Sequence, residues 1–141
     1  MKRYLVDTNI PSELTRQKPD LRVEAFLKGA DQDRVFLSVL TVGEICKGIH
    51  SLPLSAKRRS LQNWLDVDVR SWFVGRILPV TEEIAERWGQ LAAMAKQQGM
   101  PLAVVDGVIA ATALHHDLTL VTRNTKDFAN LGVDLLNPWE P

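Results

Sequence analysis

Cysteine is almost missing from this chain: Cys46 is the only one among 141 residues. A lone thiol excludes an internal disulfide and every cysteine-rich zinc site. An excess of one charge is missing too, since 17 lysines and arginines face 17 aspartates and glutamates. A domain devoted to gripping duplex nucleic acid usually carries a basic excess, so the balance counts against that class. It leaves room for a nuclease whose acidic centre is offset by a basic rim. No apolar run is long enough to cross a bilayer, and nothing ahead of the first apolar segment reads as a secretory leader. The expected compartment is the cytoplasm. Repeats, low-complexity stretches and linkers are not seen either. What remains is an ordinary globular composition, 45% hydrophobic and 24% charged, at a length that suits one domain spanning 1–141 with a real core.

Apolar runs at 4–6, 35–37, 77–80, 119–122 and 133–136 read as strands. Helical spacing lies between them, over 11–16, 21–27, 39–50 and 55–65. Thr81 is the expected N-cap of the longest helix, with Glu82 and Glu83 in its first turn and Gly99 closing it. The run DGVIAATALHH is apolar nearly all round, so its helix should be central. Strands alternating with helices predict an α/β fold, a three-layer α/β/α sandwich around a parallel sheet.

Parallel sheets gather functional groups at the carboxyl ends of their strands. Asp7 directly follows the first strand, in YLVDTN. Asp106 follows LAVV and opens the apolar helix, while Asn124 and Asp127 follow the strand LTLVT. Glu44 lies one turn into the helix after VFLS. Each has a structural alternative. Asp7 suits a turn or cap, Asp106 an N-cap, and Asp127 the cap of a short helix near Phe128. Thr41 and Glu44 fit the S/T-x-x-E capping box. Jointly the acids point to chemistry, because clustered carboxylates repel unless a cation compensates. Oxygen donors without a Cys/His set suit magnesium or manganese. Such ions orient and activate water for in-line attack at phosphorus, with one ion or two left open.

The stretches LVDTNIPSEL, LSVLTVGEICKGI, VVDGVIAATALHHDLTLVTRNTKDF and NPWEP together resemble the PIN-domain toxins of the VapC and FitB type. The resemblance runs from residue 5 to the C-terminus. It implies a PIN-like fold and a magnesium-dependent endoribonuclease (Mn2+ being an alternative ion), the toxin of a toxin–antitoxin pair. A small VapB/FitA-like antitoxin would hold it inactive, and the complex would bind operator DNA. A homodimer is implied as well. By position Asp7 and Asp106 match the principal metal-binding aspartates, and Glu44 the acid that holds metal or activates water. Thr8 matches the hydroxyl that positions the first aspartate, with Asn9 beside it. At the fourth site Asp127 is the preferred acid and Asn124 a neutral water or metal contact. Arg123 is a candidate phosphate contact. The competing function is a non-catalytic PIN module that binds RNA or an antitoxin. An aspartyl phospho-acceptor fits poorly, since the DTN triplet lacks a second acid and Arg123 stands where a late lysine is needed.

Other residues carry structural expectations. His115 and His116 end a helix of about 11 residues, which puts them roughly 16 Å from Asp106. His50 also lies past the end of its helix. Cys46 and Trp88 read as core, while Trp64 and Trp72 bracket a candidate partner surface. Lys57, Arg58, Arg59, Arg70 and Arg76 are candidates for the basic rim, or a solvated helix face.

Overall fold

Each strand here is apolar on both faces, the pattern of a parallel sheet covered by helices on either side. In the computed structural model, which describes residues 2–141, the strands are β1 (Tyr4–Val6), β2 (Val35–Ser38), β3 (Ile77–Leu78), β4 (Thr119–Val121) and β5 (Leu135–Leu136). They form one sheet in the order β3-β2-β1-β4-β5, every pair parallel. The first strand is therefore central. It pairs Tyr4 with Val35 on one side and with Thr119 on the other.

Alternation along the strands divides the core in two. Val6, Val35, Leu37 and Val121 face one layer, built from α1 (Asn9–Glu13), α2 (Leu21–Gly29), α3 (Val39–His50) and the long helix that begins as α4 (Ala56–Asn63). Leu5 and Leu120 face the other, where α6 (Glu82–Gln97) and α7 (Val104–His116) pack together after α5 (Arg70–Trp72). The architecture is the expected three-layer α/β/α sandwich. Helix α7 is buried from Gly107 to Ala113 without interruption, as its apolar run requires. A β-carbon on Gly107 would lie 2.6 Å from Cδ1 of Trp88, so the glycine is what lets α6 approach α7.

Boundaries differ from the sequence expectations for local reasons. Pro79 lacks an amide hydrogen and follows Leu78, where β3 ends instead of running on to residue 80. The fifth strand covers only the last two residues of the expected segment. The first helix starts two residues early, because Thr8 already has helical angles and Ile10 N–H donates to Asp7 C=O at 2.9 Å. Buried Glu13 then takes the amide of Asp20 at 2.9 Å, folding the intervening loop back to the start of α2. The helix expected to stop at residue 65 continues through a wide π-helical turn, Trp64–Val69, into α5. Leu65, Val69 and Phe73 are all buried at four-residue spacing. In a regular α-helix that spacing drifts by about 40° per step; the wide turn absorbs drift.

Candidate active site

Asp7 leaves the central strand and is only 7% exposed. Both carboxylate oxygens have donors: Oδ1 takes the backbone N–H of Thr8 at 2.8 Å, and Oδ2 takes the hydroxyl of Thr122 at 2.9 Å. The Thr8 hydroxyl donates to Oε1 of Glu44 at 2.6 Å. Thr8 thus ties the end of β1 to the second turn of α3, through its amide on one acid and its hydroxyl on the other. The capping-box alternative for Glu44 fails. Ser38 caps α3 by accepting from Leu40 N–H, and the Thr41 hydroxyl is buried without a partner.

Asp106 lies in the first turn of α7, where the helix dipole favours an anion. It is not the N-cap: Ala103 holds that position without a side-chain bond. Asp127 projects from a short 3-10 turn, Thr125–Phe128. Four segments distant in sequence therefore bring Asp7, Glu44, Asp106 and Asp127 into one electrostatic field. Burial pushes the Asp7 carboxyl up from its ordinary range; the Thr122 and Thr8 hydrogen bonds oppose that rise, and the charges of Glu44 and Asp127 add to it. Burial also raises Asp106, and repulsion from Asp7, Asp127 and Glu44 carries it to about 6.

Among the described residues, no group of three or more His, Cys, Asp or Glu side chains is placed to hold a metal ion by itself. The donor set is nevertheless suited to a hydrated hard cation. All candidate ligands are oxygens, and magnesium takes few carboxylates while retaining water. Two cavities are lined by different members of the set, and Asp7 lines neither of them. One of about 290 Å3 is lined by Asp106, Asp127 and Lys126 among others. Another, about 160 Å3, includes Thr8, Glu44 and Trp64 in its wall. A more apolar cavity of about 510 Å3, walled by Trp64, Trp72, Pro11 and Leu14, contains none of the four acids.

The PIN domain family model matches residues 4–133. This chain belongs to the PIN domain family. The PIN chain is 36% identical over 137 residues to VapC ribonuclease Y4jK of Sinorhizobium fredii, covering 97% of this chain and 98% of that one. It is 40% identical over 135 residues to toxin FitB of Neisseria gonorrhoeae, covering 96% and 97%. Among solved structures, FitAB bound to the IR36 DNA fragment superposes with a TM-score of 0.92 at 38% identity, covering 98% of this chain and 96% of that one.

One residue at this PIN site escaped the sequence reading. Thr122, fully buried just beyond β4, donates to Asp7 and accepts from Asn9 Nδ2 at 3.4 Å and from Asn124 N–H at 3.1 Å. Its signal was present: a hydroxyl closing the apolar run LTLVT, one residue past the Val6–Val121 pair, must stand beside Asp7. Asn9 also accepts from Arg123 N–H at 3.4 Å. The guanidinium of Arg123 lies over the ring of Trp139, 5.3 Å from its centre, which joins it to the C-terminal segment.

The basic candidates divide. Arg58 donates to Leu52 C=O and contacts Nδ1 of His50, Arg70 pairs with Asp66 at 3.7 Å, and Arg76 donates to the carbonyls of Val35 and Trp72. Lys57 makes no such bond among the described residues. No helix among the described residues is long and apolar enough to cross a membrane.

Proposed function

We propose that this PIN-domain protein is a divalent-metal-dependent endoribonuclease and the toxin of a toxin–antitoxin pair. The observation that carries the reading is the convergence of Asp7, Glu44 and Asp127 on Asp106, whose carboxyl is raised to about 6 by burial first and then by repulsion from those three. Clustered anions of this kind destabilise a fold that gains nothing from them. The names of the VapC and FitB relatives support RNA as the polymer and toxicity as the role.

In this reading Asp7, Asp106 and Glu44 hold magnesium or manganese, with Asp127 as the fourth acid. When bound, the ion supplies charge neutralisation for the phosphodiester and a source of activated water. The chain's own residues set the geometry. Thr122 and the Thr8 amide lock the Asp7 carboxylate in one orientation. Thr8 commits Oε1 of Glu44, which leaves Oε2 to orient a water or accept its proton. Asn124 is a neutral water or metal contact, and Arg123 a phosphate contact once it leaves Trp139. The FitAB–DNA relative supports a FitA/VapB-like antitoxin as partner and operator DNA as the target of the complex. A homodimer in the cytoplasm completes the proposal.

Purified protein should cleave RNA with Mg2+ or Mn2+ and stop when a chelator is added. Asp7→Asn should abolish cutting and leave the circular dichroism spectrum unchanged. Undiminished cleavage by Asp7→Asn would overturn the metal assignment. Expression should arrest growth, with relief from a co-expressed antitoxin encoded by the neighbouring open reading frame.

A further inference from the structure

We propose that RNA approaches the acids over a cationic landing made by Arg16, Lys18 and Lys57. That the polymer is RNA rests on the nuclease reading above; the landing itself rests on separate geometry. These three side chains, with Thr15, Leu52 and Leu61, wall a cavity of about 840 Å3. The smaller cavity that holds Thr8 and Glu44 has Thr15 and Leu61 in its own wall. Two shared residues make the spaces neighbours, one rich in cations and the next containing an acid of the site.

The cations are available. Lys18 and Lys57 form no ion pair or side-chain hydrogen bond among the described residues. Arg16 touches Glu13 at 3.4 Å through a side chain that is 64% exposed. By contrast Arg58 and Arg76, which looked equally suitable in the sequence, are bound to backbone carbonyls, and Arg70 is not in the wall of this cavity. A chain with no net charge cannot attract a polyanion from afar, and its acids repel one at close range. Screening limits useful attraction to about 8 Å at physiological salt, so cations must adjoin the acids to matter. The loop after α1 and the start of α4 provide them there.

The test measures binding separately from cutting. A fluorescein-labelled oligouridylate is titrated with protein in chelator, across a series of salt concentrations, and followed by anisotropy. Single-stranded RNA loses affinity with a log–log slope of about 0.7 per phosphate contact. The double variant Lys18→Ala/Lys57→Ala should therefore lower the slope by about 1.4, whereas Arg59→Ala/Arg70→Ala should leave it unchanged. In cleavage assays the first pair should raise KM and spare kcat. An unchanged slope in the Lys18→Ala/Lys57→Ala variant, when the wild-type protein cuts RNA, overturns the landing. Binding with the expected slope change, but no cutting under Mg2+ or Mn2+, overturns the nuclease reading and upholds the landing. Displacement of the RNA by poly-L-glutamate at equal charge concentration assigns the cavity to an acidic protein and also overturns it.

Discussion

Replacing Thr122 by valine removes one hydroxyl and keeps the side-chain shape, which makes it a sharp probe of the acid site. In the native fold that hydroxyl donates to a buried carboxylate at 2.9 Å and accepts from two amide groups. Hydrogen bonds to charged groups contribute about 1.5–3 kcal/mol when the partner is buried. Without metal, Thr122→Val should lose about that much stability at pH 8, a fall of roughly 5–10 °C in Tm for a chain of this size. The loss has a pH signature. Asp7 already titrates above its ordinary value, and one opposing bond is the one removed, so its pKa climbs further in the variant. Once acid protonates Asp7 in both proteins, the charged hydrogen bond no longer separates them, and the difference in Tm shrinks toward pH 4. Thr122→Ser, which keeps the donor, should follow the native profile. Thermal melts at the two pH values, in chelator, decide the matter. A valine variant as stable as the serine variant at pH 8, or a deficit equal at both pH values, would refute the argument.

Two further outcomes are expected. Gly107→Ala should destabilise by about 1–3 kcal/mol through overpacking, because the new methyl would meet the Trp88 indole; native Tm and unchanged tryptophan fluorescence would contradict the close approach of α6 and α7. Asp106→Asn should be more stable than the native protein at pH 7.5 in chelator. The raised Asp106 value means its favourable contribution is complete below about 3.8 and lost as pH rises through about 6. The advantage of the variant should therefore fade by pH 4.5, and Mn2+ at pH 7.5 should stabilise only the native protein; a gap independent of pH and metal would contradict this.

The sheet was legible because strand alternation is local. Leu5 and Val6, or Leu120 and Val121, must face opposite layers once the segment is a strand, whatever its neighbours are. Asp7 and Asp106 were legible because each stands where a strand or loop gives way to a helix, and Glu44 because it lies in the second turn of the helix that follows β2. Thr122 was harder, since its role exists only when β1 and β4 pair in a particular register. The same holds for the choice of helix caps. Thr41 and Glu44 satisfy the local capping pattern, yet Ser38, at the end of β2, reaches the first turn and leaves Glu44 to Thr8. Among the basic residues, the run at 57–59 suggested a patch by proximity along the chain. Folding instead gathers Lys57 with Arg16 and Lys18, some 40 positions away, and assigns Arg58 to a loop carbonyl.

The irregular helix 56–72 has a bearing on shape that its burial pattern does not reveal. Trp64 and Trp72 stand eight residues apart, and on a uniform spiral such side chains would diverge by about 80°. Here they face a common hollow with Pro11 and Leu14, since the slower winding between them brings the two indoles back into line. A sequence that restored even winding would keep both tryptophans and lose the recess between them.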